Sequence, residues 1–483
     1  MNEASPIPVA ETQALEAEAK AKEEAHRQGP ALKGDLTRGP ILKTLLMFSI
    51  PMLVSNVLQT LNGSVNAIWV GRLLGESALA ATANANIVMF LVFAAVFGFG
   101  MATTVRVGQH FGGRDLDAAR RTFGTGVGFC IGISIATGVI GWFGAGALLD
   151  ALGTPAASRS DALDYLRVIF VTIPLATVNM MVSMGMRGAG DSKTPLYAMI
   201  LAVALDIALN PLLIIGVGPL PTLGVAGSAI ATAFANTAGM LFQIWVIYRK
   251  DLPLRLRGPE LNYLIPRGPD LAYVVTKGLP MGAQMLIVSS AGLIMISLVN
   301  REGLNAAAAY GASLQLWNYL QMPAFAIGSA VSAMVAQSLG AGDHSRVAKV
   351  TMTGLGANLV MSTVLAALIV GFDHPLLALF LGGDSPAMPI AEHIQLICTA
   401  SFVIVSVTMI LTGTMRAYGA VVAPLVILTL GLYPGRLGFY ALAVPYLGSD
   451  AVWWAYPVGS ALTVALTLVY YRWGNWRAAY KGD

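Results

Sequence analysis

In LDIALNPLLI, residues 205–214, Asp206 stands inside a long apolar run, with Asn210 one helical turn later and Pro211 behind it. A carboxyl group in such a run can do one kind of chemistry: it holds and releases a proton, or it holds a cation against its negative charge. An ionisable side chain at a bilayer centre costs about 2.5–3.5 kcal/mol on insertion scales and is a functional site by default. A proton and an organic cation would compete for that single charge. Other polar residues recur at helical spacing. Ser55, Gln59, Asn62 and Asn66 follow at intervals of four, three and four, which sets them on one helix face. Asn179 with Ser183, and Thr232 with Asn236, are each one turn apart. A lone asparagine in a membrane helix ordinarily makes an interhelical hydrogen bond worth about 0.6 kcal/mol. A stripe of them on one face suggests a wetted cavity.

The elements that must position these groups are membrane helices. Of the 483 residues, 56% are hydrophobic and 11% charged, less than half the charged share of about 25% in soluble domains. Apolar runs long enough to cross a core of roughly 30 Å recur from about residue 41 onward. They predict an all-α polytopic membrane protein with spans at 41–69, 78–108, 121–148, 161–187, 195–217, 224–249, 273–300, 306–338, 347–371, 391–416, 420–433 and 450–472. The 52 glycines allow close helix approach, most of all in GTGVGFCIGISIATGVIGWFGAG. Alternate connections differ in Lys and Arg content. One side carries HFGGRDLDAARR, RGAGDSKTP, the 250–270 loop, GAGDHSRVAK and both termini; the other carries only Arg72, Arg159, Arg301 and Arg436. The basic side is expected to be cytoplasmic in the inner (plasma) membrane, with both termini there.

The chain also repeats. Pro51 matches Pro280, Arg187 matches Arg416 and Pro195 matches Pro424, each at the same offset of 229 (280−51, 416−187 and 424−195), and Gln109 matches Gln337 at 228 (337−109). Six spans per repeat keep both copies in one orientation, so two six-helix lobes should be related by a parallel repeat. The expected divisions are a polar tail at 1–40, lobes at 41–250 and 273–472, a linker at 251–272, and a second tail at 473–483. The first tail, without an apolar core, reads as a solvated extension and not a signal peptide.

VGRLLGESALAA after the first proline, RGAGDSKTP after the fourth span, and NPLLI running into LGVAGSAIATAFAN resemble the multidrug and toxic compound extrusion (MATE) family. The resemblance covers nearly all of 41–472. It implies a secondary antiporter that exports organic, often cationic, compounds in exchange for protons or sodium ions. Relatives usually carry an aspartate in the first helix where this chain has Asn66. Many read N-x-x-x-D in the fifth helix, where this chain reads Asp206-x-x-x-Asn210.

The expected coupling residues are Asp206, Asn210 and Asn66. The expected substrate cavity draws on Gln59, Asn62, Asn179 and Asn236 in the first lobe, and on Gln284, Gln315, Trp317 and Asn318 in the second. With one midplane acid and span interiors almost free of Lys and Arg, lipophilic monovalent cations are the expected substrates. A flippase for lipid-linked precursors is the alternative, though its anionic pyrophosphate calls for several cations in the cavity. Enzyme classes find no support: no second facing aspartate, no intrahelical histidine and no phosphate-binding loop appear. Cys130 and Cys398 read as buried free thiols, and the histidines lack metal-ligand spacing. No cofactor is expected beyond H+ or Na+ as coupling ion, no nucleic acid as partner, and a monomer in the lipid bilayer.

Overall fold

Twelve apolar runs become twelve helices long enough to span a membrane. They are α1 (Ile41–Leu74), α2 (Glu76–Gly112), α3 (Leu116–Ala151), α4 (Ala156–Gly188), α5 (Lys193–Ile215) and α6 (Gly224–Arg249). A 3-10 turn, Gly258–Leu264, leads to α7 (Gly268–Arg301), α8 (Leu304–Gly340), α9 (His344–Gly371), α10 (Met388–Ala417), α11 (Val422–Leu447) and α12 (Asp450–Trp473). A short helix, Asp373–Leu381, joins α9 to α10. The computed structural model describes residues 32–151, 156–216 and 222–480; most of the polar tail expected at 1–40 lies outside that range.

Aspartates in the GRD and GAGD turns start the next helix. Asp115 accepts from the Ala118 amide at 2.9 Å, and its repeat partner Asp343 accepts from the Arg346 amide at 2.8 Å. Asp191 accepts from the Lys193 and Thr194 amides. These acids satisfy helix N-termini that would otherwise expose unpaired N–H groups. The linker is fastened to α3. Arg121 and Thr122 donate to the buried Asp270 at 2.8 and 2.7 Å, and Arg120 pairs with Glu260 at 2.9 Å.

The lobes meet where glycine lets backbones touch. A Cβ on Gly98 of α2 would lie 2.3 Å from the Gly278 carbonyl and 2.4 Å from the Gly282 nitrogen on α7. At the end carrying the basic loops the repeat reproduces one contact twice. Gln109 of α2 donates to the Ala417 carbonyl at 2.7 Å, and Gln337 of α8 donates to the Gly188 carbonyl at 3.0 Å. Each glutamine thus caps the last carbonyl of a helix in the other lobe, and the two contacts are related by the repeat (337−109 gives 228 and 417−188 gives 229). Gln337 also accepts from the Leu36 amide at 2.9 Å. Leu36 is buried, so this end of the first tail is docked, not solvated as expected.

The eleventh span corrects the sequence reading. Gly431, Pro434, Gly435 and Arg436 read as a break, with Arg436 in an outer loop. The helix instead continues through a π-helical stretch, Gly431–Gly438, and on to Leu447. Widened turns of this kind are frequent at functional sites.

Candidate functional site

Asp206 lies on α5 at 1% exposure, and the rest of the site is built around its carboxylate. One oxygen, Oδ2, accepts from the side-chain amides of Asn62 at 2.7 Å and Asn66 at 2.8 Å, both on α1. The other, Oδ1, accepts from the Asn210 amide and the Thr232 hydroxyl of α6, both at 3.0 Å. Asn210 also donates to Asn66 Oδ1 at 2.9 Å. The i, i+4 spacing in α5 brings Asn210 over Asp206, and the same spacing in α1 brings two amides to one oxygen. Four donors fill the lone-pair positions of an ionised carboxylate, which is how a buried charge is made tolerable. A protonated carboxyl would need an acceptor as well. The side-chain carbonyl oxygens of Asn62 and Asn210 are buried without a hydrogen-bond partner, and the Thr232 hydroxyl at 3.0 Å can accept as well as donate.

A second polar layer extends toward the basic loops. Gln243 donates to Asn179 Oδ1 at 2.7 Å, Ser183 donates to Gln243 Oε1 at 3.0 Å, and Asn179 donates to Asn236 at 3.5 Å. Asn236 donates in turn to the Thr232 carbonyl at 3.0 Å. A polar track therefore runs from Ser183 to Asp206 within the first lobe. The structure brings the three expected coupling residues together and adds Asn62, which was expected to line the cavity. Thr232 and the buried Gln243 were missed as site residues. Thr232 had the spacing signal, one turn from Asn236; Gln243, near the end of its span, had none.

The second lobe departs further from expectation. Trp317, expected in the cavity, is fully buried. Its indole donates to Gln395 at 3.0 Å and Thr399 at 3.2 Å, and its ring packs with Phe402, Tyr456 and Tyr310. An indole N–H pulled out of water needs such acceptors, so Trp317 belongs to the lobe's core. Gln315 and Asn318 are exposed on the other side of α8, and Gln59 is exposed on α1. Gln284 donates to the Val421 carbonyl at 3.4 Å at the start of α11.

The expected placement of Arg436 outside the spans, in interiors almost free of Lys and Arg, is also corrected. Arg436 lies well inside α11, whose bounds are Val422 and Leu447, about three turns from the nearer end. Its guanidinium sits 4.2 Å from the centroid of the Tyr456 ring on α12. Among the described residues no carboxylate pairs with it, and its Nε has no hydrogen-bond partner. The cation–π contact contributes about 0.5–2 kcal/mol, against about 2.5–3.5 kcal/mol for an arginine at mid-span. Packing alone does not account for this residue.

Three comparisons place the whole arrangement. The MatE family model matches residues 51–212 and again 280–467, so the two matches start at the repeat offset of 229 (280−51). The chain belongs to the MATE family. The probable multidrug resistance protein YoeA of Bacillus subtilis is 31% identical over 447 residues, covering 92% of this chain and 96% of that protein. An FAD transporter of Shewanella oneidensis is 25% identical, covering 81% and 86%. A crystal structure of MATE in the straight conformation superposes with a TM-score of 0.85 at 21% identity, covering 94% of this chain and all of the other. The molecule is thus a multi-pass membrane transporter with two lobes of six helices.

Proposed function

We propose that this protein is a secondary antiporter of the plasma membrane, both termini cytoplasmic, that exports lipophilic organic cations in exchange for protons carried by Asp206. The observation that carries the reading is the carboxylate itself: the one buried acid among the described residues of the first lobe, held by four donors from three helices. The multidrug names of the relatives support the export of small molecules.

The geometry favours a proton over sodium. Each carboxylate oxygen already meets two donors, so a metal ion would find no free lone pair until amides turned away. A proton displaces a single donor and needs one acceptor, which the Thr232 hydroxyl, 3.0 Å away, supplies by rotating its own O–H aside, with no helix or amide moved. Binding the proton removes the charge that holds the two α1 amides, and so loosens α1 from α5. That loosening is the step by which protonation would reach the rest of the lobe and release the cation. In the ionised state the carboxylate is again available to attract one.

Everted vesicles loaded with pH and sodium gradients separately, and rhodamine 123 as the exported cation, test this. The pH gradient alone should drive transport, and Asp206→Asn should abolish it. Transport driven by sodium alone would remove the proton reading. Uphill export by Asp206→Asn at the parent rate would remove the coupling role altogether.

A further inference from the structure

The two lobes are copies of one unit, related by the constant offset of 229 that joins Pro51 to Pro280 and Arg187 to Arg416. Asp206 projected through that offset falls on Gly435, the residue next to Arg436 (206+229). Each lobe therefore places one charged side chain at the corresponding depth of its fifth helix, and the charges are opposite in sign. In the first lobe the charge is fully hydrogen-bonded. In the second it is not: Arg436 faces the Tyr456 ring at 4.2 Å, its Nε lacks a partner, and no carboxylate among the described residues neutralises it.

The surroundings say what would complete it. Behind Arg436, Tyr456 and Tyr310 bond through their hydroxyls and pack with Trp317, so the guanidinium is backed by a buried aromatic layer. The residue as a whole is only partly buried, although its Nε is enclosed. Its free donors form a planar fork that matches the two oxygens of a carboxylate, or those of a phosphate or sulfonate. The π-helical stretch holds the residue there. Gly431 and Gly459 bring α11 and α12 together so closely that a Cβ on Gly431 would lie 1.8 Å from Thr463 Oγ1, and one on Gly459 2.8 Å from Arg436 Cβ.

We propose that Arg436 is an oxyanion-binding subsite in the second lobe, and that the substrates it takes present a carboxylate, phosphate or sulfonate group to its fork. The inference rests on the export function proposed above and adds to it a second-lobe contact for a substrate's acid group.

Carboxyfluorescein and rhodamine 123 share a ring skeleton and differ in charge, so their ratio reports on the subsite. With purified protein, fluorescence polarisation should show carboxyfluorescein binding that weakens at least tenfold in Arg436→Gln. In vesicles, the ratio of carboxyfluorescein to rhodamine export should fall by a similar factor. Arg436→Met removes the charge and fits an apolar bundle, and gives the same measurement should the Gln variant fail to fold. Arg436→Lys, which keeps a charge but loses the fork, should bind between the parent and the neutral variants. Equal carboxyfluorescein affinity in the parent and the folded neutral variant, or no binding to the parent, overturns the proposal. Failure of the export reading is separate: it shows as rhodamine export by Asp206→Asn, while binding to Arg436 is still read on purified protein.

Discussion

Asp206 and its donors can be taken apart one group at a time. Each α1 amide is a hydrogen bond to a charged acceptor, worth about 1.5–3 kcal/mol, so Asn62→Ala or Asn66→Ala should slow dye export about tenfold or more. Their effects should combine less than additively, because both act on one oxygen. Asn62→Ala and Asn66→Ala with independent, multiplying losses would show that the amides act elsewhere. A sharper test exchanges the α5 pair. The double change Asp206→Asn with Asn210→Asp moves the carboxylate one turn, into the order many relatives carry, and still leaves it beside Asn66, which now lies 2.9 Å from the Asn210 amide. It should restore part of the transport lost in Asp206→Asn, with an altered pH profile in the vesicle assay. Asp206 was legible in sequence because a charge in an apolar run has no bland explanation. Its donors were only half legible. The stripe on α1 gave the face, but which amides reach the carboxylate depends on how α1 crosses α5, and period alone does not specify a crossing.

At the scale of the helix, the lesson is in α11 and in the glycine contacts. In sequence, GLYPGR marks the end of a span, because glycine and proline ordinarily interrupt helices. In a membrane the backbone groups they free can be satisfied by widened turns and neighbouring helices, so the span runs on and carries Arg436 into its middle. The break also placed Arg436 in an outer loop, so its charge was not counted inside the bundle. Glycine contacts divide by what a methyl would meet. On Gly98 it would strike the Gly278 and Gly282 backbones of the other lobe, which cannot move aside as a side chain could. Gly63, on exposed α1 surface, has nothing within 4 Å. Gly98→Ala should therefore cost about 1–3 kcal/mol or more through overpacking, lowering the melting temperature of the purified protein. Gly63→Ala should match the parent or gain up to about 1 kcal/mol from helix propensity. Equal melting temperatures for the two variants would mean that the lobes do not meet at Gly98.

The molecule as a whole was the most legible level, since repeat offset and span count follow from hydropathy and from a few matched prolines, arginines and glutamines. The function of those matched glutamines was not legible, because neither meets its partner within its own lobe. Gln109 and Gln337 reach across to Ala417 and Gly188, and so tie the lobes at the end bearing the basic loops. If that end is cytoplasmic, cysteines at Lys193 and Arg346 should react only from the cytoplasm and one at Arg301 only from outside. Two hydrogen bonds at about 1 kcal/mol each then bias the closed state by about 2 kcal/mol, or roughly 30-fold. Met281 offers a reporter, buried against Met101, Met184 and Val421 where the lobes meet. In a background with Cys130 and Cys398 replaced by alanine, Met281→Cys should react slowly with a maleimide added from the cytoplasmic side. Adding Gln109→Ala and Gln337→Ala together should raise that rate by at least tenfold, and either change alone by less than the square root of the combined factor, because one remaining tie still holds the lobes. An unchanged rate in the double variant would mean that closure rests on the glycine contacts and the surrounding apolar core, with the glutamines serving only to cap helix ends.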